Sequence, residues 1–205
     1  VEKALSMRQL LVLPRGEEPS EHAIVQRAAR GDQAALGALY QRYVDDVFGY
    51  VQLRVRDRAL AEDLTHDVFL SAFAALPRFR WQGSLGPWLM RCAHNRVANH
   101  WRSQGRQPEQ LSILHEDESE ERSSVLAVHI DLDEALALRL TTDEILAAMS
   151  RLTDLQQQVV ALRFGAGLSL AETAEIMQRS VNAVKNLQHH AVAGLRRHLP
   201  RERPT

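Results

Sequence analysis

Residues 57–77 read DRALAEDLTHDVFLSAFAALP, and their spacing decides the fold class. Leu60, Leu64, Val68, Ala72 and Leu76 recur every fourth position, which at 3.6 residues per turn places them in one row along one side of a helix. Asp57 stands where a carboxylate accepts from free first-turn amides, and Pro77, which has no N–H, ends the run. The same period extends outward. On the N-terminal side Ser20 caps a short helix to Arg30, Gly31 interrupts, and Asp32 caps a longer helix through Tyr40, Tyr43, Val47, Tyr50 and Val51. On the C-terminal side a fourth helix starts near Ser84, carries Pro87 in its first turn and runs to about Ser103. No stretch alternates apolar and polar residues long enough to make a convincing strand, so the expected class is all-α.

After Gln104 the composition turns to Gly105, Pro108, Ser112 and the acidic run HEDESEE at 115–121, which has little to bury. Residues 125–140 are ambiguous, because Val125 to Ile130 could be a strand while Leu132 to Leu140 has helical spacing. Helical pattern returns at Thr142, with helices expected over Asp143 to Leu152, Asp154 to Phe164 after a Thr153 cap, Leu170 to Met177 after Ser169, and from Ser180 to Leu199. The last two form a helix-turn-helix. The expected organisation is an N-terminal extension over 1–19 with no packing signal, a four-helix domain over 20–104, a flexible acidic linker over 105–140, and a helix-turn-helix domain over 141–201.

The chain of 205 residues has a net charge of −1, yet its charges are sorted. Between Arg78 and Arg106 stand Arg78, Arg80, Arg91, Arg96, Arg102 and Arg106 without one Asp or Glu. On the fourth helix Arg91, Asn95, Asn99, Arg102 and Arg106 share an arc opposite Leu89, Ala93, Val97 and Trp101, with Arg96 on the apolar flank, where its stem can snorkel. Guanidinium groups neutralise phosphates and asparagine amides pair with base edges, so this face suits DNA, although a plain solvated face has the same periodicity. Ahead of it lies Phe79-Arg-Trp-Gln-Gly-Ser-Leu-Gly86, an aromatic and basic loop in which Trp81 is the candidate platform for an unstacked base. Phe79 and Trp101 have the positions of core residues. A second acid-free run extends from Ile176 to Arg201. On its helix Val181, Val184, Leu187, Ala191, Leu195 and Leu199 share the side expected to be buried, and Asn182, Lys185, Asn186 and His189 face outward where a recognition helix meets the major groove.

Other chemistry finds no residues to carry it. Nine histidines invite a metal reading, but His189 and His190 are adjacent, and His94 and His100 lack the i, i+4 pairing of a helical ligand set. There is no phosphate-cradling glycine loop, no nucleophile elbow and no nucleophile with a base, so neither an enzyme nor a cofactor is expected. Cys92 is the one cysteine, placed on an apolar helix face as a small hydrophobe, which fits a reducing compartment. No apolar run reaches the roughly 20 residues of a membrane span.

Residues 61–73 (AEDLTHDVFLSAF), 79–89 (FRWQGSLGPWL) and Asn95-Arg96-Val97 together resemble region 2 of extracytoplasmic-function sigma factors. Residues 156–164 (QQQVVALRF), 168–176 (LSLAETAEI) and Ala183-Val184-Lys185 resemble region 4 of the same family. The resemblance implies a cytoplasmic, non-enzymatic subunit that directs core RNA polymerase to promoter DNA and promotes strand separation, restrained by an anti-sigma protein, with no direct membrane insertion. It implies polymerase contacts for Glu62, Asp63, Asp67, Phe69 and Leu70. It assigns the minus-ten element to Arg80, Trp81, Gln82, Ser84, Arg91, Asn95, Asn99 and Arg102, and the minus-thirty-five element to Ser180, Asn182, Lys185, Asn186, His189 and Arg196. A stand-alone helix-turn-helix regulator is the alternative; it shares the C-terminal half but leaves the acid-free 78–106 segment without a use. Gln178 and Arg179 occupy the turn where the family often has glycine, a cost of about 1 kcal/mol if that turn needs a left-handed residue.

Overall fold

The computed structural model describes residues 20–105 and 142–199. The expected 1–19 extension, the linker beyond Gly105 and the ambiguous 125–140 stretch lie outside the described residues. Within them the fold is all-α. Helices α1 (Glu21–Ala28), α2 (Gln33–Val55) and α3 (Arg58–Ala75) are followed by a 3-10 turn at Leu76–Arg78 and by α4 (Gly86–Ser103). The second half holds α5 (Thr142–Met149), α6 (Asp154–Val160), a π-helical turn over Ala161–Gly165, α7 (Leu170–Met177) and α8 (Val181–His198). None of these helices is long and apolar enough to cross a membrane.

Side-chain caps fix where the helices begin. Asp32 Oδ1 accepts from the amides of Ala34 and Ala35, Asp57 Oδ1 from Leu60, and Ser180 Oγ from Ala183. Thr153 and Ser169 each close a reciprocal capping box, with Gln156 and Glu172. Each such cap contributes about 1 kcal/mol. Helix α4 starts without one: Ser84 Oγ accepts from the Gly86 amide at 3.2 Å, and Glu21 of α1 accepts from the Leu85 amide at 3.1 Å.

Leu64, Val68, Ala72 and Leu76 are buried as their row requires, with Leu60 at its rim. Two spans differ from the sequence reading. The helix expected to reach Leu152 stops at Met149, because Thr153 must be extended (ψ 158°) to cap α6, and Leu152 is buried from the intervening turn. The helix expected to run to Phe164 widens into the π turn, which brings the Gly165 backbone against α2. A Cβ on Gly165 would stand 2.9 Å from Leu53 Cδ1, and one on Gly49 would stand 3.2 Å from the Gly165 carbonyl oxygen.

That close approach joins the two halves. Ala161, Leu162, Leu168 and Ile176 share one buried cluster with Val47, Tyr50, Val51, Leu89, Ala93 and Val97. A smaller cluster of Val25, Ala28, Ala35, Leu39, Leu76 and Leu85 lies under α1, and Met149, Leu152, Val160, Ala191 and Leu195 pack within the second half. Across the junction Arg54 of α2 donates to Asp154 of α6, with Nη2 2.6 Å from Oδ1, although the Arg54 side chain is only 4% exposed.

Beside this pair the Tyr50 hydroxyl lies 3.0 Å from Nδ1 of His94. Burial, reinforced by the Arg54 charge, holds His94 down to about 4, so the ring is neutral in the fold. A depressed histidine contributes stability that is fully present above the unfolded pKa near 6.5 and is lost as pH falls toward the folded value. Between those limits the loss is about 3 kcal/mol. His94→Asn is expected to flatten the stability profile from pH 7 to 4.5 in urea titrations, and parallel profiles for the two chains would exclude His94 as the cause.

Candidate nucleic-acid interface

Helix α4 is half buried along its length. Leu89, Ala93 and Val97 point into the shared core, which leaves Arg91, Asn95, Asn99 and Arg102 exposed along the other side. The Arg102 guanidinium donates to Asn99 Oδ1, so these two side chains are already oriented as a pair. Arg96 does not simply snorkel: it pairs with Asp67 of α3, both about two-fifths exposed.

The loop ahead of α4 is built on aromatic contacts. Phe79 packs on Trp88 with centroids 4.9 Å apart and meets Trp81 edge-on at 6.3 Å. Trp81 is half-buried, and the imidazole of His22 from α1 lies parallel to its indole at 4.8 Å. Phe79 is therefore packing, as its position suggested, and Trp81, the candidate platform, already has one ring stacked on it. Arg80 and Gln82 are exposed, and Ser84 is held by its bond to the Gly86 amide.

In this arrangement α7 stands over part of that surface. Arg91 Nη2 is 2.6 Å from Glu175 Oε1. A cavity of about 390 Å³ opens between Arg80, Gln82, Trp88 and Arg91 on one side and Glu172 and Glu175 on the other. The carboxylates of α7 thus face the acid-free arginine surface.

The second surface is the outward side of α8. The turn before it places Gln178 in the left-handed region (φ 55°, ψ 46°), with the Arg179 amide bonded to the Ala174 carbonyl in the pattern that closes a helix C-terminus. The glycine-free turn keeps the helix-turn-helix geometry at the local cost its sequence implied. Asn182, Lys185, Asn186, His189 and Arg196 are exposed, while Ser180 Oγ is engaged as the cap of α8. Val181 is a correction: at 46% exposed it lies outside the buried row, which on α8 starts at Val184, packed with Val159 and Ala174. Arg163 Nε donates to Gln188 Oε1 at 3.0 Å, bracing α8 from the π turn.

On α3, Glu62 and Asp63 are exposed, with Glu62 paired to Arg58 at 2.9 Å, and Asp67 is engaged by Arg96. Phe69 is a second correction. It is 3% exposed, packed between Tyr40 at 4.7 Å and Phe73 at 5.5 Å, and so is not displayed on the surface of α3 in this arrangement. The apolar group displayed is its neighbour Leu70, 58% exposed, with Tyr40 of α2 half-open beside Phe69. The contacts of Tyr40, Glu21 and His22 with these segments are tertiary and carry no local spacing, so the sequence alone does not mark them.

Comparison with known proteins finds two separate matches along the chain. The sigma-70 region 2 family matches residues 39–107 and the sigma-70 region 4 family matches residues 148–197, together more than half of the chain. The ECF RNA polymerase sigma factor BldN of Streptomyces coelicolor is 39% identical over 179 residues, covering 86% of this chain and 65% of that protein's length. The RNA polymerase sigma-H factor of Pseudomonas aeruginosa is 29% identical, covering 82% of this chain and 88% of its own. Among solved structures, CnrH in complex with the cytosolic domain of CnrY aligns with a TM-score of 0.62 at 21% identity, over 86% of this chain and 95% of that one. RpoE of Bartonella quintana in complex with the anti-sigma factor NepR aligns at 0.61 and 17%, over 82% and 98%. These two likenesses concern the fold.

Proposed function

The chain belongs to the extracytoplasmic-function sigma factor family, and from that membership we propose that it directs core RNA polymerase to specific promoters and assists strand separation there without covalent catalysis. The observation that carries the reading is the occurrence in one chain of the region 2 match, with its acid-free arginine and aromatic surface, and the region 4 match, with its basic outward helix. A stand-alone helix-turn-helix regulator has no use for the region 2 match over 39–107. The working site is the cytoplasm, where polymerase and promoter DNA are found.

In this proposal the loop residues Arg80, Trp81, Gln82 and Ser84 and the α4 residues Arg91, Asn95, Asn99 and Arg102 engage the minus-ten element as it opens. Arginines hold the phosphates, asparagines face base edges and Trp81 stacks an unpaired base. Residues Ser180, Asn182, Lys185, Asn186, His189 and Arg196 meet the minus-thirty-five duplex. Glu62, Asp63, Asp67 and Leu70, over the Phe69 support, form the polymerase-docking face. The region 2 unit extends over 20–104 and the region 4 unit over 141–201.

The geometry adds a requirement. Two elements about 25 base pairs apart are separated by roughly 85 Å of duplex, and one closed body cannot reach both. The Arg91–Glu175 pair and the shared core must part when both elements are bound. The chain between Ser103 and Thr142 can span roughly 120 Å when extended, enough for that separation. The same closed arrangement is a form that an anti-sigma protein could hold, and the structurally similar RpoE was solved with the anti-sigma factor NepR bound to it.

Reconstituted transcription with core polymerase on a genomic promoter library tests the proposal; start sites that appear only with the chain present are expected, and their absence overturns it. Lys185→Ala is expected to weaken minus-thirty-five duplex binding and to reduce the slope of affinity against salt by about one counterion. An unchanged slope would mean that the α8 face is turned away from the phosphates.

A further inference from the structure

Two side chains of the first turn of α1 reach the loop that leads into α4. Glu21 Oε1 accepts from the Tyr43 hydroxyl and, at 3.1 Å, from the Leu85 amide, which joins α1, α2 and the start of α4 at one oxygen. Tyr43 is half-buried, and its hydroxyl is pushed up to about 12 by burial and then by Glu21, so it remains a donor throughout the working range. One residue further on, His22 stacks on Trp81 at 4.8 Å with the rings 25° apart. The loop is thereby tied at its entrance by the Phe79 amide to the Leu76 carbonyl, at its exit by Glu21, and at its centre by His22.

We propose that Glu21 and His22 are positioning residues for minus-ten recognition: Glu21 fixes the exit of the 79–85 loop, and His22 backs one face of Trp81 so that the indole is already oriented for an unpaired base. The inference rests on the proposed role of this loop as the minus-ten reader. Its physical content is preorganisation. A platform that is fixed before binding does not have to be ordered when the base arrives, so the stacking contact is realised in full. A loop whose central ring is loose binds the same strand more weakly and releases it sooner. Phe79 meets the indole edge-on, and His22 is the ring that lies along its face.

The test uses holoenzyme and a fluorescent single strand carrying the minus-ten sequence of a promoter that the unmodified chain transcribes. His22→Ala is expected to weaken strand binding about tenfold, with core affinity and minus-thirty-five duplex binding unchanged. His22→Phe, which keeps a flat ring against Trp81, is expected to stay within about twofold of the unmodified chain. Glu21→Gln, which keeps an accepting oxygen, should bind like the unmodified chain, and Glu21→Ala like His22→Ala. Strand binding by His22→Ala at full strength overturns the inference, as does a His22→Phe chain as weak as His22→Ala. If the unmodified chain supports no transcription at all, the sigma-factor reading itself has failed, and the two failures are thereby told apart.

Discussion

Asp154→Ala is expected to open the chain and leave its helices intact. The carboxylate neutralises an Arg54 side chain that is almost fully enclosed, and Arg54 Nε already has no hydrogen-bond partner. Removing one member of such a pair leaves an uncompensated charge, a penalty of about 3–5 kcal/mol. In a single-domain core that penalty would unfold the protein. Here Arg54 lies at the junction of two halves, each with a cluster of its own, so the guanidinium regains water once the halves separate. A change of about 3 kcal/mol shifts the closed-to-open ratio by more than a hundredfold. Small-angle scattering should record a larger radius of gyration while the helical dichroism is unchanged. Arg54→Met added to Asp154→Ala should restore part of the compact form, since an apolar side chain carries no charge to hydrate. A compact Asp154→Ala chain with normal scattering would show that the pair contributes nothing to closure.

The second large effect is expected for Trp81→Ala, in the step that follows DNA binding. Stacking on an aromatic ring contributes about 1–3 kcal/mol per base, so heparin-resistant complexes on duplex promoters should fall by about ten- to a hundredfold. Pull-down of core polymerase should be unchanged, because the proposed docking residues Glu62, Asp63, Asp67 and Leu70 are on α3 and Trp81 is not among them. On a template already mismatched across the minus-ten element the defect should shrink, since part of the opening has been supplied in advance. Equal losses in polymerase capture and in strand opening would assign Trp81 to the fold of region 2 and remove it from the DNA site.

The two proposed DNA surfaces differ in the charge that faces them. The loop and α4 contain no carboxylate, yet Glu172 and Glu175 arrive on them from α7, about eighty positions away in sequence. A helix-turn-helix normally presents its second helix to DNA. In this chain the first helix also places Glu175 against Arg91 and Glu172 across a cavity from it, over part of the arginine surface of the other half.

Much of this could be read from the chain. The every-fourth spacing of Leu64, Val68, Ala72 and Leu76, and the caps at Asp32, Asp57, Thr153, Ser169 and Ser180, are local rules that the helices obey within a residue or two. The exposed arc of Arg91, Asn95, Asn99 and Arg102 is a property of one helix and its period. Where the reading missed, distance along the chain was the reason. Phe69 follows the exposed acidic turn of α3 in sequence, and its burial comes from the cluster it shares with other helices, Tyr40 of α2 among its neighbours. Arg96 looked apolar-flanked until Asp67 of α3 reached it.

By itself, the sequence determined which segments are helices, where each begins, and which surfaces carry arginine without acid, because backbone hydrogen bonds, caps and side-chain periodicity act over a few residues. The tertiary structure alone decided that Gly165 meets Gly49, that Asp154 neutralises Arg54, and that His22 and Glu21 hold the loop around Trp81. Those contacts join residues tens of positions apart, and packing in three dimensions, which no local period encodes, selects them.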